Sequence, residues 1–259
     1  MSGTGDALVG WTGFVGGNLS RQHDFAHRYA SATAPEMAGH RFDRVVFSAA
    51  RAEKWRINQD PVTDRAHIED LKRILSSFRA ERLVLVSTVD VYAKPVGVDE
   101  TTPLPAPGLH PYGAHRFELE EFARSRFDNV LVVRLPGLFG PGIKKNVIFD
   151  LLTGNNLSAI DHRGSFQYYD LRRLWADIGV ALDAGFPLVN FATEPVTTGK
   201  VAQECFDLDF RNEPPGSSPG TYDVRSVHAD AFGGHGGYLQ SADQVLADLR
   251  SFVLDERSR

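Results

Sequence analysis

Five short apolar runs punctuate the chain. They are Ala7-Leu8-Val9, Val45-Val46-Phe47-Ser48-Ala49-Ala50, Leu83-Val84-Leu85-Val86-Ser87-Thr88, Val130-Leu131-Val132-Val133-Arg134-Leu135 and Leu188-Val189-Asn190-Phe191-Ala192. Near-continuous runs of this kind suit strands of a parallel sheet that is covered on both faces. Between them the apolar period changes. Ile68, Leu71, Ile74, Leu75 and Phe78 recur mostly at spacings of three and four, which is one face of a helix. Strands alternating with helices predict an α/β fold with a doubly wound, mostly parallel sheet.

The stretch from Gly17 to Asp43 is lean. Phe25 to Ser31 can supply a second strand, but a further βα unit has no room, so the usual third unit is expected to be trimmed or absent. Loops are expected over Lys94–Pro111 and Asn212–Gly220, both rich in proline. Val245, Leu246, Leu249 and Phe252 predict a final helix from Ser241 to Phe252 with Ser241 as its cap. The charged tail Asp255–Arg259 is expected to fray into solvent.

Composition narrows the class. The 259 residues carry 28 Lys+Arg against 33 Asp+Glu, a net charge of −5 that argues against a nucleic-acid binder. Cys205 is the single cysteine, which excludes an internal disulfide and a multi-cysteine metal site. No metal site is expected; His228, Asp230 and His235 fit no compact ligand spacing. No apolar run is long enough for a membrane span, and the first residues lack the pattern of a signal peptide. The expected location is cytoplasmic.

The first run ends directly in Gly10-Trp11-Thr12-Gly13-Phe14-Val15-Gly16. Glycines between a strand and a helix let the backbone approach a pyrophosphate, and the helix start offers free N–H groups. Packing alone also produces such turns, so the loop gains weight from being the first βα turn. The second strand ends near Arg28 to Thr33 without a carboxylate. Arg28 or Ser31 is available to face a 2′-phosphate, which leans the reading from NAD toward NADP; an ordinary surface role for Arg28 stays open.

The third run ends at Thr88, and a helix is expected to begin near Tyr112. Helical spacing puts Arg116 one turn from Tyr112. A cation there is expected to depress the phenol pKa, and a strand-end hydroxyl can hold the oxygen that the phenol protonates. His115 reads by default as a surface helix histidine, Trp11 as a partly exposed loop aromatic, and Cys205 as a small buried hydrophobe.

At this point the sequence resembles the extended short-chain dehydrogenase/reductases, the NAD-dependent epimerase/dehydratase type that modifies nucleotide sugars. The resemblance rests on ordered pieces. After the glycine loop come Asp43 to Ala50, Ser87-Thr88-Val89-Asp90-Val91-Tyr92 and Asp99-Glu100-Thr101-Thr102-Pro103-Leu104. They are followed by Tyr112-Gly113-x-x-Arg116 with Glu120, Arg134-Leu135-Pro136-Gly137-Leu138-Phe139-Gly140-Pro141-Gly142, and Phe166-Gln167-Tyr168-Tyr169-Asp170-Leu171.

The resemblance implies that Tyr112 is the general acid/base and Thr88 the holder of the reacting oxygen. Arg116 stands in the slot of the family's lysine, which contacts the nicotinamide ribose and lowers the tyrosine pKa. Gly10, Thr12, Gly13, Phe14, Val15, Gly16, Ser31, Ala49, Ala50, Pro136, Gly137 and Leu138, with Tyr112 and Arg116, are the expected cofactor contacts. Asp90 and Asn146 are the expected substrate contacts. Arginine for lysine keeps the charge but changes its shape and donors. His67 stands where the family often has asparagine. Val89-Asp90 replaces the dehydratases' Asp-Glu pair, which disfavours a dehydratase.

The resemblance implies a Rossmann-like core over residues 1–142 and 167–198, with a small substrate region over 143–166 and 199–259 forming a single compact unit with it. It also implies a homodimer and a small-molecule substrate, a nucleotide sugar or a similar polar carbinol. The expected activity is an NAD(P)-dependent oxidoreductase or epimerase. The alternative is a non-catalytic, nucleotide-sensing or regulatory protein on the same fold.

Overall fold

The computed structural model describes residues 5–105 and 107–258. The opening residues Met1 to Thr4 and the last residue of the tail, Arg259, lie outside the described residues. The first half of the chain contains β1 (Asp6–Val9), α1 (Phe14–Gln22), β2 (His27–Tyr29), β3 (Arg41–Phe47), α2 (Lys54–Gln59), α3 (Pro61–Ser77), β4 (Arg79–Thr88), β5 (Val96–Val98) and α4 (Pro111–Arg126). Then come β6 (Val130–Leu135), β7 (Gly137–Phe139), α5 (Val147–Thr153), β8 (Ser165–Phe166), β9 (Tyr168–Asp170) and α6 (Leu174–Asp183). The last elements are β10 (Leu188–Asn190), β11 (Val196–Thr197), α7 (Thr198–Phe206), β12 (Asp223–Val224) and α8 (Ala242–Arg257).

The chain divides into two compact units. The first takes Met1–Lys94, Thr102–Leu135 and Leu174–Val189. It holds a six-stranded sheet in the order β10-β6-β4-β3-β1-β2. The pairs β1–β2, β1–β3, β3–β4 and β4–β6 are all parallel. Val45, Val46, Leu83, Val84 and Val132 are fully buried, as strands covered on both faces require. The second strand is the sheet edge, and among the described residues no strand pairs beyond β2.

Several bounds move from the sequence expectation. The second apolar run is a strand from Arg41 to Phe47 and leaves Ser48, Ala49 and Ala50 outside it. The third run begins earlier, at Arg79, because its polar start pairs with Arg41 to Arg44 of β3. The helix before it starts at Pro61, with Asp60 accepting the N–H of Thr63, and Phe78 lies just past its end. Ile68, Leu71, Leu75 and Phe78 pack with Phe42, Phe47, Leu119 and Phe127 in the core of this unit. Burying each such side chain contributes about 1.5–3 kcal/mol.

The second unit takes Pro95–Thr101, Pro136–Arg173 and Asn190–Arg259. Its strands form three two-stranded sheets, β11-β8, β12-β5 and β7-β9. Buried side chains stitch these short pieces together. The carboxylate of Glu100 accepts from the Asn190 N–H at 2.7 Å, the Ser226 hydroxyl at 2.6 Å and the Val227 N–H at 2.9 Å. The Gln167 amide donates to the carbonyls of Thr193 and Val224 and accepts the Val224 N–H at 2.8 Å. Cys205 is buried, as expected.

The last helix corrects one expectation. It opens on a capping box between Ser241 and Gln244 and runs to Arg257, beyond the expected end at Phe252. The tail does not fray there. Arg172 pairs with Asp255 at 3.4 Å, and Arg257 donates to the Phe206 carbonyl at 3.3 Å while lying over the Phe206 ring. No helix among the described residues is long and apolar enough to cross a membrane.

Candidate active site

The glycine loop is built by close backbone approach. Gly10 has φ +86°, and a Cβ there would lie 2.7 Å from the Ser48 carbonyl oxygen. A Cβ on Gly16 would lie 2.2 Å from the Gly10 oxygen. Any side chain at either position forces the loop apart. The helix α1 then starts at Phe14 with Gly13 as its N-cap and no side-chain cap bond. The N–H groups of its first turn therefore meet no capping side chain, and a helix start of this kind suits an anion such as a phosphate. Thr12, Gly13, Phe14 and Val15 frame this opening, and Trp11 is 40% exposed beside it.

Ala49 and Ala50 follow directly after β3 and are half-buried. At the end of β2, the Ala30 N–H is held by the Thr33 hydroxyl at 3.0 Å, and Ser31 is exposed on that turn. Arg28 is paired with Asp24 at 2.8 Å.

Thr88 closes β4, and its hydroxyl accepts the N–H of Asp90 at 3.1 Å. Its hydroxyl faces the Tyr112 phenol closely enough to lower the phenol's pKa. Tyr112 sits in the first turn of α4, which is fixed in three ways. The Nδ1 atom of His110 accepts the Gly113 N–H at 3.0 Å, Pro111 occupies the first helical position, and Asn58 accepts the Tyr112 N–H at 3.0 Å. Gly113 lets the helix touch the strand end, because a Cβ there would lie 2.1 Å from the Asp90 oxygen. The fold thus brings Thr88 and Tyr112 together.

Arg116 lies one turn on, its guanidinium 4.6 Å from the Tyr112 ring centroid. It is bound by Asp64 at 3.0 and 3.4 Å and by the Arg51 carbonyl. His115 also bonds Asp64, at 2.8 Å. His115 is therefore buried at 5% exposure, against the expectation of a surface residue. The carboxylate of Asp64 draws it inward.

The expected depression of the Tyr112 phenol is corrected by this geometry. Burial pushes its pKa up; Arg116, the Thr88 hydroxyl and Lys54 pull it down, Asp90 pushes it up, and burial prevails. Asp64, which faces the same guanidinium, is held below its ordinary value by Arg116 and His115 despite its burial. Tyr112 is thus a neutral phenol at pH 7, a proton donor in form.

Asp90 is paired with Lys54 of α2 at 2.7 Å. The Nε2 atom of His67 is buried without a hydrogen-bond partner among the described residues; burial and the Arg51 charge hold its pKa down. Below the site, Arg134 meets both oxygens of Glu120 at 3.0 and 2.6 Å, and Ser87 donates to Glu120 at 2.5 Å. The Arg134 guanidinium also donates to the Tyr92 hydroxyl at 2.8 Å. This buried network holds the residue next to Thr88.

Pro136, Gly137, Leu138 and Asn146 belong to the second unit. Gly137 donates to the Gln167 carbonyl at 3.1 Å, and a Cβ on it would approach that oxygen to 2.7 Å. The Asn146 side chain accepts from the N–H groups of Ile148 and Phe149 and donates to the Leu138 carbonyl at 2.8 Å. It is an N-cap and a loop tie.

Sequence reasoning missed Asp64, Lys54, Asn58 and the Arg51 carbonyl. Asp64 had a signal. It shares a helix face with buried Ile68, Leu71 and Leu75, and an acid on such a face implies a buried cation partner.

A family model, described as the NAD dependent epimerase/dehydratase family, matches residues 7–159. No curated protein matches the chain. Many solved structures do. One is a dTDP-4-dehydrorhamnose reductase from Clostridium acetobutylicum, at 14% identity and TM-score 0.73, covering 99% of this chain and 100% of that one. A second is RMD from Pseudomonas aeruginosa complexed with NADPH, at 17% identity and TM-score 0.71, covering 97% and 99%. A third is the Bordetella bronchiseptica enzyme WbmG in complex with NAD, at 16% identity and TM-score 0.75, covering 98% and 95%. At these identities the likeness is one of fold.

Proposed function

Since the chain belongs to the NAD dependent epimerase/dehydratase family, we propose that it is an NAD(P)-dependent oxidoreductase or epimerase. Its substrate is a carbinol or keto group of a nucleotide sugar or a similar polar molecule. The observation that carries the reading is the juxtaposition of Thr88, at the end of β4, with Tyr112 in the first turn of α4, where Gly113 packs that helix onto the Asp90 backbone and Arg116 lies over the Tyr112 ring.

Gly10, Thr12, Gly13, Phe14, Val15 and Gly16 form the loop that would cradle the pyrophosphate: the Gly10 and Gly13 N–H groups are spent on the Tyr29 and Gly10 carbonyls and shape the turn, and the N–H groups of Phe14, Val15 and Gly16 at the helix start are the donors it offers. Ser31 faces the adenosine ribose, and its position on a turn without a carboxylate leans the choice to NADP. Ala49 and Ala50 of the first unit would line the cofactor beyond the loop; Pro136, Gly137 and Leu138, on the second unit, are cofactor contacts on the resemblance alone. The nicotinamide, when bound, supplies the hydride chemistry.

The protein's own residues do the proton work. The Tyr112 phenol donates its proton to a substrate carbonyl oxygen, or takes it back from the carbinol in reverse. Thr88 fixes that oxygen by hydrogen bonding. Arg116, over the phenol ring, stabilises the phenolate when the proton has left. Asp90, tied to Lys54, is a polar contact for the substrate rather than an elimination acid, and Asn146 fixes the loop that meets the substrate's far end. We propose a homodimer, as in the resemblance.

Equilibrium titration of the purified protein with NADH and NADPH tests the reading. Saturable binding of at least one, tighter for NADPH, is expected; binding of neither overturns it. Binding without turnover of any keto-sugar nucleotide points instead to the regulatory alternative.

A further inference from the structure

Lys54 is a side chain that no motif singles out. It stands on α2, and the segment from Arg51 to Asn58 makes three contacts, one to Tyr112 itself and two to its neighbours Arg116 and Asp90. The Arg51 carbonyl binds Arg116, Lys54 binds Asp90 at 2.7 Å, and Asn58 binds the Tyr112 N–H at 3.0 Å. The two cations near the phenol differ in kind. Arg116 is 3% exposed and locked to Asp64, whereas the Lys54 side chain is 37% exposed.

We propose that Lys54 is a positioning residue for Tyr112: its ammonium holds Asp90, against whose backbone the first turn of the tyrosine helix packs at Gly113, and so fixes a charge pair beside that turn. The proposal rests on the reading of Tyr112 as the acid/base. Its physical content is a matter of sign. The Asp90 carboxylate disfavours the phenolate, and the Lys54 ammonium favours it. Removing the ammonium leaves the carboxylate uncompensated beside the phenol, so both changes act in one direction.

The groups around the phenol are Arg116 over its ring, Lys54 and Asp90 from α2 and the β4 end, and the Thr88 hydroxyl. The His110 ring centroid lies 6.2 Å away, and Asp64 and His115 stand behind Arg116. Of the charged groups, Lys54 is the cation that solvent and substrate can reach, so its pairing is the one that substrate binding can alter.

The test reads the phenol directly. A fluorinated tyrosine at position 112, more acidic than tyrosine, is titrated by 19F NMR while the protein stays folded. Lys54→Met is expected to raise the midpoint by roughly 0.5–1 pH unit. Lys54→Arg is expected to restore it, and Asp90→Asn to lower it. An unmoved midpoint in Lys54→Met, a shift in Lys54→Arg equal to that in Lys54→Met, or a shift of one sign in Lys54→Met and Asp90→Asn overturns the proposal. The titration needs neither cofactor nor substrate. If neither NADH nor NADPH binds, the functional reading fails while this result still stands or falls by itself.

Discussion

The carboxylate of Asp64 grips the guanidinium of Arg116 through both oxygens, at 3.0 and 3.4 Å, with the two side chains 2% and 3% exposed. Arginine in this slot therefore comes with its own counter-charge, and the pair is buried within a turn of Tyr112. Removing one partner of a buried pair strands the other. Asp64→Ala is expected to lose about 3–5 kcal/mol of unfolding free energy, measured by urea denaturation. Because the folded pKa of Asp64 is depressed, its stabilisation is complete above the unfolded value of 3.8 and fades as pH falls through the lower folded value. Asp64→Asn should accordingly flatten the acid limb of the stability curve below about pH 4.

Two glycines in helices make opposite predictions. Alanine normally stabilises a helix interior relative to glycine by about 0.5–1 kcal/mol. At Gly113 the new Cβ would sit 2.1 Å from the Asp90 oxygen, so Gly113→Ala should cost at least about 2 kcal/mol and displace Tyr112 from Thr88. At Gly179 nothing stands within 4 Å, so Gly179→Ala should raise stability by about 0.5–1 kcal/mol. Thermal unfolding of the two variants side by side checks the contrast.

His67 predicts a pH dependence on the neutral side. Its folded pKa lies below the unfolded value of 6.5, since burial and Arg51 disfavour its charge. The unfolded chain then binds more protons as pH falls below that value, so stability declines from pH 7 toward pH 5. The slope from one such histidine is at most about 1.4 kcal/mol per pH unit. In His67→Asn this slope should shrink, leaving the part due to His110, which burial and Lys54 also hold low. An unchanged slope would remove His67 as its source.

How far the sequence carried is clearest in these residues. The strand–glycine–helix unit was legible because its signals are local: a buried run, the glycines from Gly10 to Gly16, then a helix start at Phe14. The parallel sheet, with no strand pairing beyond β2 among the described residues, was legible from run composition and the short stretch after Gly17. The partner of Arg116 was not, because 52 positions separate it from Asp64 and only the fold joins them. The same holds for Lys54 and Asp90, 36 positions apart. The net direction of the Tyr112 pKa was misread because spacing reports the nearby cation but not the burial that outweighs it. In the second unit, strands of two or three residues leave no apolar period, and their cohesion comes from side chains such as Glu100 and Gln167.

The central claim is that the Tyr112 hydroxyl moves the proton in a nicotinamide-dependent reaction. The most direct measurement compares wild type with Tyr112→Phe, following absorbance of the reduced cofactor against a panel of keto-sugar nucleotides and calorimetric cofactor binding in parallel. The expected result is turnover by wild type on at least one panel member and a fall in kcat of roughly 10²–10⁴-fold in Tyr112→Phe. Cofactor affinity should stay within about two-fold, since the substitution removes one hydroxyl and keeps the ring. Full activity in Tyr112→Phe would contradict the account.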